Sequence, residues 1–346
     1  MRDSEQAPRP DPSGRLRPIL MKSSAPLPKS CALVRYVNKR KYQIDREGAR
    51  PVTNARRFWL GMAAASLIAA LLITAFVWRR AIRNRPPEPS AESIQLATQM
   101  VGATFRAPGL SLDLPYRLYV PEPLEPNRRY PLIVYLHGAG DTGDDNVRQL
   151  GPLVARLVQQ ARSTEPAFIL APQSPSGKTW VPVPGAPYLN YSQSSVPESE
   201  GLKTTRALVA QLPGHYPIDT SREYLLGFSA GAAGSWDLLT RAPDADNAPY
   251  AAAALLSGAY DPSRASVVAR LPLWFFHGEK DTISPYATTL DTVRALQQAG
   301  GSPRYTLLQD IAHDTPLAAS QAGLYTWLMS QRRAAAPQPA PSRAPA

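Results

Sequence analysis

Cysteine and histidine are scarce in this sequence of 346 residues, which contains one cysteine, Cys31, and four histidines. A single cysteine excludes an intrachain disulfide and a cysteine-based zinc cluster. The chain also lacks an even spread of charge, since its net charge is +11 while residues 86–346 carry 20 basic and 22 acidic residues. The larger part of the chain therefore lacks the basic surface of a nucleic-acid-binding protein, and no nucleic-acid partner is expected.

Charged residues are absent from a stretch of 21 residues, Phe58 to Trp78, with the sequence FWLGMAAASLIAALLITAFVW. A helix of about 20 apolar residues crosses the roughly 30 Å hydrocarbon layer of a membrane. Arginine pairs bracket both ends of the stretch, which disfavours a buried core helix, and the preceding segment is too long for the basic start of a signal peptide. We therefore predict one transmembrane helix over residues 58–78.

Basic residues flank this stretch unevenly, with seven lysines and arginines in residues 37–57 and four in residues 79–85. Cytoplasmic segments of membrane proteins carry the excess of Lys and Arg. The N-terminus is therefore predicted to be cytoplasmic, and the rest of the chain is predicted to lie on the outer, periplasmic side. The protein is then expected to be a single-pass protein of the inner membrane.

Composition divides the chain outside this helix into one folded part and three flanking segments. Seven prolines and scattered basic residues in 1–57 predict a disordered arm, the proline-rich sequence within 79–93 predicts a linker, and the Pro/Ala-rich segment 332–346 predicts a disordered tail. The folded domain is predicted to span residues 94–331. Nothing in the sequence indicates an oligomeric state.

Short apolar segments alternate with amphipathic segments throughout the predicted domain. Strands are predicted at 116–120, 132–136, 168–172, 223–228, 251–257, 271–276 and 304–308. Apolar residues have helical spacing at 146–160, 200–212, 230–240, 285–299 and 315–329. Continuous apolar strands in alternation with helices are typical of a mostly parallel sheet covered by helices on both faces, so an α/β fold is predicted.

A Gly-Phe-Ser-Ala-Gly sequence, residues 227–231, follows the predicted strand at 223–228 and opens a helical segment. This G-x-S-x-G pattern places a serine on a sharp turn between a strand and a helix. Glycines two residues to either side allow the neighbouring backbone to approach closely. Ser229 is therefore the predicted nucleophile.

A serine hydroxyl needs a base to accept its proton and a carboxylate to orient that base. In sheets of this kind the acid and then the histidine follow the serine along the chain. Of the two histidines after Ser229, His313 is the predicted base because it lies in a loop after a late strand, and His277 is interpreted as a structural residue of its own loop. Asp281, after the preceding strand, is the predicted acid. The competing acids are Glu279, Asp310 and Asp314.

Attack on a carbonyl group creates negative charge on its oxygen, and backbone N–H groups aimed at that oxygen stabilise it. One predicted donor is Ala230, directly after the serine. The second donor is expected from the loop His137-Gly138-Ala139-Gly140 at the end of a strand, with Ala139 as the first candidate and Gly138 as the second. His137 is interpreted as a residue that holds this loop through hydrogen bonds.

The chain from about residue 113 to residue 330 resembles the α/β-hydrolases, in particular a bacterial group of esterases and peptidases related to feruloyl esterases, polyhydroxyalkanoate depolymerases and dienelactone hydrolases. The resembling stretches are YRLYVPEPLEPNRRYPLIVYLHGAGDTGDDN, APQSPSGKTW, YLLGFSAGAAGSWDLL, FFHGEKDTISP and GGSPRYTLLQDIAHD. The resemblance implies an α/β-hydrolase fold, with Ser229 as nucleophile, Asp281 as acid and His313 as base. Ala230 departs from the methionine that is common in this group, but the backbone N–H remains.

The longest stretch without a regular pattern, residues 173–199, is predicted to contribute a substrate pocket through Trp180, Tyr188 and Tyr191. An acidic cluster at 141–145 lacks the spacing of a calcium-binding loop. No metal and no cofactor are therefore expected.

The leading hypothesis is a membrane-anchored serine hydrolase that cleaves small-molecule carboxylic esters through an acyl-enzyme. A serine peptidase with the same machinery is the alternative, because ester and amide hydrolysis share this chemistry. A third hypothesis is a non-catalytic scaffold tethered to the membrane. The presence of all three residue types of a Ser-His-Asp triad argues against that third hypothesis.

Overall fold

The protein is described by a computed structural model that covers residues 88–183, 192–241 and 249–333, together with seven single positions between 58 and 74. The chain divides into two compact units, residues 1–83 and residues 84–346.

The first unit contributes seven described residues, all of them helical. Within the described positions, no helix combines the length and the apolar character needed to cross a bilayer. The other residues of the predicted membrane segment 58–78, and all of the predicted arm 1–57, lie outside the described residues.

The second unit is built on a sheet to which the described residues contribute eight strands. In chain order these are β1 Val101–Phe105, β2 Leu114–Tyr119, β3 Tyr130–Leu136, β4 Phe168–Pro172, β5 Ile218–Phe228, β6 Ala252–Leu256, β7 Leu273–Gly278 and β8 Arg304–Leu308. Their spatial order is β1-β2-β4-β3-β5-β6-β7-β8, with β2 antiparallel to both of its neighbours and the remaining pairs parallel. The carboxyl ends of β3 to β8 therefore meet at one edge of the sheet.

Seven described α-helices accompany the sheet. They are α1 Ala91–Ala97, α2 Pro152–Ser163, α3 Glu200–Gln211, α4 Ala230–Thr240, α5 Ala287–Gln298, α6 Pro316–Gln321 and α7 Leu324–Met329. Side chains of α3, α4 and α5 pack into a hydrophobic cluster on one face of the sheet, and side chains of α1, α2, α6 and α7 pack into a second cluster on the other face. The α/β-hydrolase arrangement of a mostly parallel sheet between two helical layers is confirmed.

The strand β3 shows why the inner strands are continuous apolar runs. All seven of its residues are buried. Leu132, Val134 and Leu136 pack into one cluster, while Ile133 and Tyr135 pack into the other. Because successive side chains point to opposite faces and both faces are covered, each position of the strand selects an apolar residue.

The seven predicted strands correspond to β2 to β8, whereas β1 has no counterpart among them. This strand lies at the edge of the sheet and its residues are largely exposed, so its sequence lacks an apolar run. Gly102 in β1 lies against the guanidinium of Arg117, which a Cβ there would meet at 2.7 Å. The sequence pattern did not predict β1, because its residues are largely exposed and the side chain packed on Gly102 is a charged one from β2.

The ends of the domain also differ in detail from the prediction. The helix α1 begins at Ala91, where the side chain of Ser90 accepts a hydrogen bond from the N–H of Ser93 at 3.0 Å. The single helix predicted over 315–329 is two short helices, α6 and α7. Gly323, with φ of 84°, separates them by adopting a left-handed conformation that glycine tolerates.

Candidate active site

Ser229 lies on the sharp turn between β5 and α4. Its backbone has φ of 53° and ψ of −117°, a conformation that costs a residue with a side chain about 1–3 kcal/mol. Its N–H donates a hydrogen bond to the carbonyl oxygen of Leu256 at the end of β6, 2.8 Å away. The turn therefore places the hydroxyl at the carboxyl edge of the sheet, where neighbouring strand ends bring other side chains.

The two glycines of the G-x-S-x-G sequence occupy positions where a Cβ has no space. A Cβ on Gly231 would lie 1.9 Å from the carbonyl oxygen of Leu136, at the end of β3. A Cβ on Gly227 would lie 2.3 Å from the carbonyl oxygen of Gly231. Glycine at both positions lets α4 begin directly against β3 and β5, which confines the turn that carries Ser229.

The structure brings the predicted nucleophile, base and acid into one chain of hydrogen bonds. His313 Nε2 lies 2.8 Å from Ser229 Oγ, and His313 Nδ1 lies 2.7 Å from Asp281 Oδ2. A carboxylate accepts and does not donate, so Nδ1 carries the proton and Nε2 is free to accept the serine proton. The arrangement can therefore move a proton from Ser229 to His313 while Asp281 holds the ring.

The carboxylate of Asp281 is held by its own loop. The N–H groups of Ile283 and Ser284 donate to Asp281 Oδ1 at 2.9 and 2.8 Å. Burial opposes ionisation of Asp281, but these N–H groups and His313 outweigh it, so the pKa of the carboxyl lies below its ordinary value. Asp281 is therefore charged at neutral pH and has a fixed orientation.

His277 lies beside Asp281 and has no contact with Ser229. Its Nε2 donates to the carbonyl oxygen of Ser284 at 2.5 Å and lies 3.3 Å from Asp281 Oδ2, while Nδ1 accepts from the hydroxyl of Thr289 at 2.7 Å. Burial lowers the pKa of His277, in spite of the opposing effects of Ser284 and Asp281. This neutral ring on β7 holds the loop that carries Asp281, which fits its interpretation as a structural residue.

Within the described part of the chain, two of the competing acids take other partners and the third has none. Glu279 accepts from the backbone N–H of Asp310 at 3.2 Å, and the Asp310 carboxylate pairs with Lys280 at 2.7 Å. Asp314 is exposed. Among the described residues, Asp281 is the carboxylate that contacts His313.

Two backbone amides are available beside Ser229. The N–H of Ala230 is at the start of α4, where helical N–H groups lack intrahelical acceptors, and within the described part of the chain neither it nor the N–H of Ala139 finds a carbonyl acceptor. The loop that carries Ala139 is close, because a Cβ on Gly138 would lie 3.6 Å from Ser229 Cβ. These two N–H groups match the predicted donors to a developing oxyanion, with Ala139 as the first candidate of its loop.

Comparison with protein families matches residues 122–322, which is more than half of the chain, to the phospholipase/carboxylesterase family. The chain belongs to this family. A comparison with curated protein sequences finds no significant match.

Solved structures similar to this phospholipase/carboxylesterase family member include esterases and peptidases. A thermostable esterase is 28% identical with a TM-score of 0.61, over 69% of this chain and 64% of that chain. A Bacteroides ovatus protein assigned as a dipeptidyl aminopeptidase IV is 15% identical with a TM-score of 0.52, over 67% of this chain and 36% of that chain. A ferulic acid esterase of the anaerobic fungus Anaeromyces mucronatus is 15% identical with a TM-score of 0.47, over 67% of this chain and 90% of that chain. The chain spans less than two thirds of the first two structures.

His137 holds the loop of this family member that carries Gly138 and Ala139. Its Nδ1 donates to the carbonyl oxygen of Gly138 at 2.6 Å, and its Nε2 accepts from the N–H of Ser174 at 2.9 Å. Burial lowers the pKa of His137 to about 4, so the ring stays neutral and keeps one donor and one acceptor. The loop is thereby tied to the segment after β4.

Trp180, which the sequence places in a substrate pocket, is instead buried with 1% of its surface exposed. Its indole N–H donates to the carbonyl oxygen of His137 at 3.0 Å, and it fills the space over Gly234 of α4, where a Cβ would meet it at 2.7 Å. Trp180 therefore supports the loop at 137–140 from beneath. Tyr188 and Tyr191 lie outside the described residues.

Two residues that the sequence reading did not single out also fix His313. The ring of Phe228 packs on the imidazole with centroids 5.1 Å apart. Thr315 donates its N–H to the carbonyl oxygen of His313 at 3.0 Å and its hydroxyl to Ser257 Oγ at 3.2 Å. The position of Phe228 directly before the serine could have indicated its place in the site. The contact of Thr315 with Ser257 could not, because it depends on a strand order that no local sequence pattern shows.

Within residues 88–183, 192–241 and 249–333, no group of three or more His, Cys, Asp or Glu side chains is arranged to hold a metal ion. Asp145, within the acidic cluster at 141–145, pairs instead with Arg148 at 2.9 Å. The expectation of metal-independent chemistry stays a prediction.

Proposed function

We propose that the protein is a serine esterase that hydrolyses small-molecule carboxylic esters through an acyl-enzyme. The observation that carries this proposal is the continuous hydrogen-bonded chain from Ser229 through His313 to Asp281, with distances of 2.8 and 2.7 Å. Membership of the phospholipase/carboxylesterase family supports an ester as the substrate.

In the proposed first half-reaction, Ser229 Oγ attacks the ester carbonyl carbon as its proton passes to His313 Nε2. Asp281 stabilises the imidazolium that forms. The N–H groups of Ala230 and Ala139 donate to the oxyanion of the tetrahedral intermediate. As the intermediate collapses, His313 Nε2 gives the proton to the departing alcohol and the acyl group stays on Ser229.

In the second half-reaction, a water molecule replaces the alcohol. His313 accepts a proton from that water as its oxygen attacks the acyl carbon, and then returns the proton to Ser229 Oγ. The carboxylic acid leaves and the free enzyme is restored. The same two amides stabilise the second oxyanion, so the loop held by His137 and Trp180 acts in both steps.

A serine peptidase is the second candidate, because the B. ovatus structure shares this fold. The test is a panel of short alkyl and aryl esters set against a peptide library, measured on the full chain in detergent. We expect esters to be hydrolysed and peptides to be cleaved slowly or not at all. Peptide cleavage with a higher kcat/KM than any ester would assign the protein to the peptidases.

We propose further that residues 58–78 anchor the chain in the inner membrane with the hydrolase on the outer side. The uncharged stretch of 21 residues and the Lys/Arg excess before it support this proposal. The protein is expected to remain in the membrane fraction after a carbonate wash, and a reporter active only outside the cytoplasm, fused after residue 331, is expected to be active. Release by carbonate, or activity of a cytoplasm-only reporter at the same position, would contradict the proposal.

A further inference from the structure

Exposed apolar side chains are frequent in the segments that follow the acid and the base. The large hydrophobic residues that are exposed in the described part of the second unit are Ile94, Val101, Leu124, Ile283, Tyr286 and Leu317. Three of these six follow Asp281 or His313 by two to five residues. Ile283 is 59% exposed, Leu317 41% and Tyr286 39%. Exposed apolar side chains this close to a reactive centre are available for contact with a bound substrate.

Both aliphatic residues are attached to backbone that the site itself holds in place. The N–H of Ile283 donates to Asp281 Oδ1 at 2.9 Å. Leu317 is the second residue of α6, two residues after Thr315, which is bonded to His313 and to Ser257. The backbone that carries the two side chains is therefore held by the triad, and little backbone entropy is lost when they contact a ligand.

The position of these residues indicates which part of an ester substrate, the alcohol or the acyl group, they would contact. The oxyanion donors, Ala139 and Ala230, are on the loop after β3 and at the start of α4. His313 instead reaches Ser229 from the loop after β8, beside the loop after β7 that carries Asp281. His313 Nε2 must protonate the departing alcohol, so that alcohol has to lie on the His313 side of the reacting carbon. Apolar groups on the segments that carry His313 and Asp281 are thus on the alcohol side of the reacting carbon.

We propose that Ile283 and Leu317 bind the apolar alcohol portion of the substrate, so that the enzyme prefers esters of hydrophobic alcohols. This inference rests on the proposed esterase function. Full burial of one methylene group changes kcat/KM by up to about fourfold. Because Ile283 and Leu317 are exposed, they can contact a methylene group from one side only, so about twofold per methylene is expected. Deacylation is independent of the alcohol, since the alcohol has already left.

The experiment separates the two halves of the ester with alkyl substrates of similar intrinsic reactivity. One series keeps the acetyl group and lengthens the alcohol from methyl to hexyl, and the other keeps methanol and lengthens the acyl chain from acetyl to hexanoyl. Rates are measured by pH-stat on the full chain and on Ile283→Ser and Leu317→Ser. The matched control is Ile94→Ser, because Ile94 is 53% exposed on α1 and lies far in the sequence from the segments after β7 and β8 that carry Asp281 and His313.

In the wild type we expect kcat/KM to rise about twofold per methylene along the alcohol series. Ile283→Ser and Leu317→Ser should each flatten that rise and leave the acyl series unchanged, and Ile94→Ser should change neither. If the alcohol series is unaltered in both Ile283→Ser and Leu317→Ser, the inference is overturned while the esterase function stands. The same holds if these variants flatten the acyl series and not the alcohol series. If Ile283→Ser and Leu317→Ser lose binding to phosphatidylglycerol vesicles while both ester series are unchanged, the inference is also overturned, and the two side chains bind a lipid surface instead. Absence of hydrolysis of every ester by the wild type would refute the proposed function itself.

Discussion

Replacement of Ser229 by alanine is expected to lower kcat for ester hydrolysis by about four to six orders of magnitude. The variant loses the atom that forms the acyl-enzyme, while the amides of Ala230 and Ala139 remain in place. The residual rate then reflects binding and oxyanion stabilisation without a covalent step. Steady-state kinetics and labelling by a fluorophosphonate probe measure the two consequences separately.

Loss of activity in this variant must be distinguished from loss of the fold. Alanine and serine differ by one oxygen, and Ser229 Oγ has one described partner, His313 Nε2, so the midpoint of thermal unfolding should change little. Ser330→Ala, at an exposed serine, is the control for the probe and should label as the wild type does. Labelling of the Ser229 variant at the wild-type level would show that another residue is the nucleophile.

The sequence was most informative where a local pattern and a tertiary requirement coincide. The continuous apolar run of β3 predicts a strand covered on both faces, because each of its side chains meets one of two hydrophobic clusters. The close approach of backbone at Gly227 and Gly231 was predicted from the motif alone. The nearest backbone atoms that a Cβ would meet belong to Gly231 itself and to Leu136 at the end of the adjacent strand. Patterns of this kind are fixed by nearest neighbours in the sheet.

Features that depend on distant partners were not predictable in the same way. Trp180 lies in an irregular stretch with tyrosines, which favours a pocket, yet the gap that it fills is opened by Gly234, more than fifty residues later. The edge strand β1 is held beside Arg117, whose guanidinium also donates to the carbonyl oxygens of Ala97 and Asn146. Burial of such side chains is decided by helix placement, which composition and periodicity do not contain.

The choice between the two late histidines illustrates the limit within the site. His277 belongs to β7 itself, and its ring turns into the interior toward Thr289. His313 follows β8 by five residues and reaches Ser229 from a loop. The position of each histidine relative to the end of its strand therefore distinguished the base from the structural residue. The contact of His277 with Asp281 was not predictable, since it depends on how the loop at 281–284 folds back over the strand.

Substitution of Asp281 by asparagine is expected to lower kcat by about three to four orders of magnitude, and the cause is the tautomer of His313. The two backbone N–H groups at Oδ1, from Ile283 and Ser284, cannot turn away, so the asparagine amide must place its oxygen there. Its NH₂ group then occupies the position of Oδ2, 2.7 Å from His313 Nδ1. Facing a donor, Nδ1 must accept, and the imidazole proton moves to Nε2.

A neutral imidazole with its proton on Nε2 has no lone pair for the hydroxyl of Ser229, so the base is blocked although the residue and its position are retained. Nitrogen-15 NMR of the imidazole is expected to show the proton on Nδ1 in the wild type and on Nε2 in Asp281→Asn. The matched control is Asp314→Asn, which removes an exposed carboxylate one residue from His313 and should keep kcat within about twofold of the wild type. If Asp281→Asn retained more than a tenth of the wild-type kcat, the orienting acid would have to be sought elsewhere, first at Glu279, whose carboxylate lies on the same loop.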